Sequence, residues 1–376
     1  MKRGSSRVGI VLALALTVAG SGIVAANRRR IVEELEHQYQ RVSFQWIADR
    51  VTQGASDPQT AVVRLAEYVH ATMRVPPSGK PVGDVEPLEL LAGGRGWCDQ
   101  QANVFAQLAR TIPLDVRLVF LRNAQGESPH SIAEVFLDGA WRVVDPFLGV
   151  LPWNDGRLAT PEDLAANPSL FLQQDVEEMV RSNMSMTTAQ LFRYPPTIFN
   201  TWRGKRKIWL DRCPQALRRG LVYALQDLSF AFASSSRHLT PPQRLSLFAQ
   251  QCALLDRTKK AERLFQRVLQ QTHDPALRED AQFFLGRLYR AQGRFDEALA
   301  VFQEMLRSAQ GDGWQPLAHL ACGQIYESLG QAARAREEYR LSGLALHEIM
   351  VAQDSLTLQR SLNDYAGSGN AAARSR

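Results

Sequence analysis

A period of 37 residues runs through the last part of the chain. Ala261, Ala298 and Ala335 are each 37 residues apart, and so are Phe265, Phe302 and Tyr339. Gly293 and Gly330 repeat at the same interval, and Leu285-Gly286-x-x-Tyr289 is matched by Cys322-Gly323-x-x-Tyr326. A small residue, an aromatic and a turn glycine at fixed offsets constrain the fold strongly. Each copy is one helix pair that cannot bury its apolar face alone, so the copies must stack into a continuous all-α core. Cys322 stands where Leu285 does, and Cys252 where Tyr289 and Tyr326 do, so both read as packing residues. Residues 272–275 and 309–313 read as loops between units, and Thr240-Pro241-Pro242 as the helix start of the first.

The pattern resembles tetratricopeptide repeats over residues 243–346, with longer connections than the usual period of about 34 residues allows. The resemblance implies a concave face for a peptide or protein partner. With three aligned segments, a spacer or self-association role stands beside partner recognition.

Far upstream, Gly93-Gly94-Arg95-Gly96-Trp97-Cys98 hands a glycine-rich loop over to an apolar-periodic segment. Ala102, Val104, Phe105, Leu108 and Ala109 recur at helical spacing, which predicts a helix from Cys98 to about Arg110 that stops at Thr111-Ile112-Pro113. At a helix start the unpaired N–H groups and the positive end of the dipole favour a thiolate. Alone, such a cysteine reads as a small buried hydrophobe; its downstream partners change that. Three β-rich runs follow, at 116–121, 131–137 and 141–144, the last two joined by the turn pair Asp138-Gly139. His130 opens the second run and Asp145 closes the third, so a hairpin makes them cross-strand neighbours. Cys98 as nucleophile, His130 as base and Asp145 as the residue orienting the imidazole form the expected catalytic set.

Gly-x-Cys ahead of a helix, His before Glu134-Val135-Phe136-Leu137, and Trp141-x-x-x-Asp145-Pro146 resemble the transglutaminase-like superfamily of the papain-like cysteine-enzyme group. The likeness covers roughly residues 58–150. Upstream, residues 59–73 read as a leading helix with Val63, Leu65, Ala66 and Val69 on its apolar side, and residues 87–91 as the short segment before the cysteine loop. The resemblance implies an α+β core of helices packed on an antiparallel sheet, and a thioester acyl-enzyme formed from a peptide bond or glutamine carboxamide. Water or an amine then resolves it, giving hydrolysis or acyl transfer. This chemistry calls for no cofactor. An oxyanion needs a second donor besides the Cys98 N–H, yet no Gln or Asn occurs between residues 76 and 97. That gap keeps open a catalytically weak or inactive recognition domain that serves with the repeats as a membrane-tethered scaffold.

Residues 8–26 form one uncharged, mostly apolar run. At about 1.5 Å per residue it matches the roughly 30 Å hydrocarbon core and predicts an N-terminal transmembrane helix, a single pass in a bacterial inner membrane. A cleaved signal peptide competes, since Val24-Ala25-Ala26 offers small residues, but the run exceeds the usual apolar region of about 7–15 residues. Lys2, Arg3 and Arg7 on one side balance Arg28, Arg29 and Arg30 on the other. A short N-terminal flank usually stays inside, which favours a catalytic domain outside the cytoplasm. Ile31, Leu35, Tyr39 and Phe44 predict an amphipathic helix leading into the body.

The net charge of +6 is spread along the chain. Its densest internal cluster, Arg203, Lys205, Arg206 and Lys207, reads as a solvated loop, ahead of a contact with anionic lipid or another acidic surface, and no nucleic-acid reading module accompanies it. The four cysteines, Cys98, Cys213, Cys252 and Cys322, form no Cys-x-x-Cys and no metal-ligand grouping with the seven histidines. The expected organisation is therefore an anchor at 1–27, a linker helix at 28–57 and a transglutaminase-like domain at 58–160. A helical connecting region at 161–242, with helices at 163–180 and 214–233, leads to the repeats at 243–346 and a C-terminal tail at 347–376. The implied partners are a protein or peptide substrate, a protein bound by the repeats, and the membrane.

Overall fold

In the computed structural model of the chain, the described residues are 23–74, 85–171, 193, 196–202, 215–232, 239–308 and 314–343. The basic cluster at 203–207, Cys213, the tail after residue 343 and the apolar run up to residue 22 lie outside them. Among the described residues no helix is long and apolar enough to cross a membrane. The chain divides into two units, one of Met1–Ser43 with Cys213–Thr240, the other of Phe44–Arg212 with Pro241–Arg376. Helix α1 (Ile23–Val51) runs from the first into the second. The first unit also holds a helix at Gln215–Phe232, close to the one expected at 214–233.

The second unit begins with an α+β core. Helix α2 (Pro58–Thr72) starts where the Asp57 carboxylate accepts the Thr60 N–H at 2.8 Å, and it buries Val62, Leu65, Ala66 and Val69. Val62, not Val63, takes the core position. Helices α3 (Pro87–Gly93) and α4 (Cys98–Ala109) follow, and α4 begins on Cys98 itself. Its apolar positions Ala102, Val104, Phe105, Leu108 and Ala109 are all buried, packed on α2, α3 and the sheet.

That sheet has the order β3-β2-β1-β6, all antiparallel, from β1 (Val116–Leu121), β2 (His130–Leu137), β3 (Ala140–Val144) and β6 (Thr197–Trp202). Asp138 and Gly139 both adopt positive φ, the primed turn that matches the twist of a two-residue hairpin. A short hairpin, β4 (Trp153–Asn154) and β5 (Arg157–Leu158), precedes α5 (Pro161–Ala166) and a 3₁₀ turn at Pro168–Phe171. Of the helix expected at 163–180, the part at 172–180 lies outside the described residues; the described part starts earlier and breaks at Asn167, which precedes Pro168 and leaves helical geometry at φ −137°. Val119, Leu121, Ile132 and Val143 from the sheet pack with Leu148, Val150, Leu164 and Phe171 in one apolar cluster.

Three helix pairs complete the unit. With the unit-one helix at Gln215–Phe232 taken as α6, they are α7 (Pro241–Leu254) with α8 (Thr258–Gln271), α9 (Pro275–Ala291) with α10 (Phe295–Ser308), and α11 (Gln315–Ser328) with α12 (Ala332–Ser342). The 37-residue period has a physical basis in the aromatics. A Cβ on Gly286 would lie 2.6 Å from the Phe302 ring, and Gly323 meets Tyr339 in the same way. Only glycine lets the second helix of a pair close on the first at that point. Gln266 donates to the Tyr289 hydroxyl, and 37 residues on, Gln303 donates to that of Tyr326. The left-handed turn of Gly293 and Gly330 falls to Asp256 in the first copy, where its carboxylate forms an ion pair with Arg50 of α1. The first pair thus docks on the α+β core, α7 packing on α3.

Gly286→Ala should destabilise the repeats by about 1–3 kcal/mol through overpacking, and adding Phe302→Leu should recover part of the loss. Thermal unfolding of the two variants against wild type checks this.

Candidate active site

The expected site residues come together around one buried imidazole. His130 is the first residue of β2, opposite Leu121 on β1, and both His130 and Asp145 are wholly buried. The His130 Nε2 lies 2.5 Å from Asp145 Oδ2. The two are not directly opposite on the ladder. Its last pair toward this end is Ala133 with Val144, after which Asp145 leaves β3 and pairs with Val150 instead. That bridge closes a tight turn, and the turn aims the carboxylate: Asp145 Oδ1 accepts the Phe147 and Leu148 N–H groups at 3.0 Å each, which leaves Oδ2 for the histidine.

The other ring nitrogen, Nδ1, is buried with no conventional hydrogen-bond partner among the described residues, and the Cys98 thiol is the polar side chain that still acts on the ring. Cys98 is partly exposed, whereas His130 is not. Burial alone would push the His130 pKa down. The Asp145 charge and hydrogen bond, with a smaller contribution from Cys98, outweigh it and push it up to about 10.

The loop before Cys98 is fixed by its own backbone and by two glutamines. Gly94 caps α3 in the left-handed conformation at φ 64°, which a residue with a Cβ adopts only under strain. Arg74 N–H donates to Gly94 O at 2.9 Å and Gly96 N–H to Arg74 O at 3.0 Å, an isolated parallel bridge that ties Arg95 to the residue two places past α2. Trp97 N–H donates to Gln100 Oε1 at 3.0 Å, and Gln101 Nε2 to Gly96 O at 2.8 Å.

Residues 45–146 match the family model of the transglutaminase-like superfamily, and residues 243–365 that of a tetratricopeptide repeat-like domain. The chain carries a transglutaminase-like domain followed by a tetratricopeptide repeat-like domain. No curated protein matches it. Among solved structures, one titled "Crystal structure of MamA" is similar at 17% identity over 34% of this chain and 76% of that one, with a TM-score of 0.27, too loose a likeness to bear on the fold.

Within the transglutaminase-like domain, Trp141 lies outside the site. Its ring carries the Arg117 guanidinium 4.3 Å from its centroid and meets Phe136 edge-on, while Arg117 also neutralises the buried Glu134. Burial pushes the Glu134 carboxyl up, and Arg117 opposes it. Three further residues, Gln100, Gln101 and His70, support the site. Gln100 and Gln101 were legible as a glutamine three residues after a helix start and its neighbour. His70 on α2 was not: its Nδ1 lies 3.1 Å from both Pro146 O and Phe147 O, and since a carbonyl only accepts, His70 donates there and braces the turn that holds Asp145.

A histidine whose pKa is raised by folding stabilises the fold fully below its ordinary value of 6.5, and that contribution fades as pH rises through about 10. Asp145→Asn should therefore cost about 3–5 kcal/mol near pH 6, with the gap to wild type narrowing toward pH 10. Thermal melts at the two pH values measure the gap.

Proposed function

We propose that this chain is a membrane-tethered thiol enzyme that opens amide bonds, either a peptide bond or a glutamine carboxamide. The observation that carries the reading is the buried His130 ring, hydrogen-bonded to Asp145 and acting on Cys98 at the first residue of a helix. A histidine held charged beside a thiol favours a thiolate–imidazolium pair, and the N-terminus of α4 favours the anion further. The thiolate attacks the carbonyl carbon, and the Cys98 N–H faces the charge that develops on oxygen. His130 gives its proton to the departing amine, leaving a thioester on Cys98. Water or an amine then attacks the thioester while His130 takes back a proton, and the acyl group leaves as acid or new amide.

The repeats supply protein recognition in this scheme, bringing the protein substrate or a partner to the thiol. The uncharged run at residues 8–26 is the tether, with the catalytic domain outside the cytoplasm.

Iodoacetamide should alkylate Cys98 near neutral pH at least tenfold faster than Cys213, and His130→Ala should abolish the difference. Peptide mapping reads both rates. An electrophilic glutamine or peptide probe should remain on Cys98 as a covalent adduct in wild type and fail to do so in Cys98→Ala. Binding partners retained by Cys98→Ala, with no adduct on wild type, would instead mark the domain as a recognition scaffold. The full chain should stay with membranes after carbonate washing, and a chain starting at Arg28 should not.

A further inference from the structure

The loop that delivers Cys98 is gripped from its other side by the repeats. Arg95, three residues before the nucleophile, bridges to Arg74 just past α2 through its backbone, while its side chain reaches the second and third helix pairs. Its guanidinium sits 3.3 Å from the centroid of the Trp314 ring and 3.3 Å from Asp280 Oδ1. The same Asp280 oxygen accepts the Trp314 indole N–H, so one carboxylate joins the arginine to the ring it stacks on. Trp314 is itself immobilised. Its backbone N–H donates to Glu279 Oε1 at 2.9 Å, and its ring stacks on Phe283 with centroids 4.1 Å apart and planes 9° from parallel. One residue earlier in the loop, Gly94 leaves the space taken by Arg287 of α9, whose Nη1 would be 3.3 Å from a Cβ there.

We propose that Arg95 is a positioning residue for Cys98, held by Asp280 and Trp314, so that the repeats set the geometry of the thiol as well as recognising protein. The proposal rests on the thiol-enzyme reading. An isolated, partly exposed ion pair would fix little. Here the guanidinium is shared between a carboxylate and an indole face that are bonded to each other, which defines its position in all directions. Only Gly96 and Trp97 separate Arg95 from Cys98. With the Arg74 pairing on one side and the repeats on the other, a displacement of Arg95 passes directly to the Cys98 N–H and sulfur. A partner that shifts α9 against α11 would thereby alter the thiol without touching it.

The test measures the rate of Cys98 alkylation by iodoacetamide from pH 5 to 9 in the full chain, for wild type, Arg95→Ala, Asp280→Asn and the double variant, each with a thermal melt. Wild type should hold a rate plateau at neutral pH. Each single variant should lower that rate roughly tenfold or more and move the rise of the profile to higher pH, and the double variant should be no slower than Arg95→Ala alone. Asp280→Asn lies outside the loop and keeps the test decisive if Arg95→Ala does not fold. Folded variants whose profiles superimpose on an activated wild type overturn the proposal and leave the thiol-enzyme reading standing. A wild type without the plateau overturns both.

Discussion

Burying an imidazolium removes hydration worth several kcal/mol, and for His130, with no exposure, that cost is opposed chiefly by Asp145, which lies 2.5 Å from its Nε2 and pushes its pKa up. Much of the transglutaminase-like domain can be understood as what that pair requires. The carboxylate must not swing away, so its second oxygen is held by two turn amides, and the turn is closed by the Val150 bridge and braced by His70. The histidine must not tilt, so it sits at the paired start of β2, with Phe147 packed 5.7 Å from its ring. With Asp145 fixing Nε2, the ring is locked in place, and Cys98 adds a smaller share to the upward shift of its pKa.

The cysteine side is organised by a different principle. Cys98 stands on a helix that the core holds firmly, but the loop feeding that helix is glycine-rich and would be free if left to itself. It is tied by backbone hydrogen bonds to Arg74, by Gln100 and Gln101, and by the Arg95 contacts to the repeats. The Asp256 turn and its ion pair with Arg50 show the same economy. A repeat position that is glycine in the other two copies has been used to join the array to the α+β core.

Features set by local periodicity were legible in the sequence. The start of α4 on Cys98, its buried positions, the β2–β3 hairpin and the three helix pairs all follow from spacing within a few residues or one repeat. So did the nearness of His130 and Asp145, because one tight hairpin relates them, although the departure of Asp145 from the ladder did not. The strand at Thr197–Trp202 was missed because Tyr194-Pro195-Pro196 reads as a break and its partner β1 lies some 80 residues earlier. The Arg95 contact spans 185 residues. Nothing near Arg95 marks it as different from any other loop arginine, since its meaning is fixed by tertiary packing.

The structure of the site rests on His130 being an imidazolium at neutral pH. Histidine-selective NMR of the full chain, with His130 assigned by substitution, measures this directly as a titration of the ring signals. The His130 resonances should keep their protonated positions through pH 8, far above the ordinary histidine range. A His130 ring that titrates near 6.5, like an exposed histidine, would contradict it.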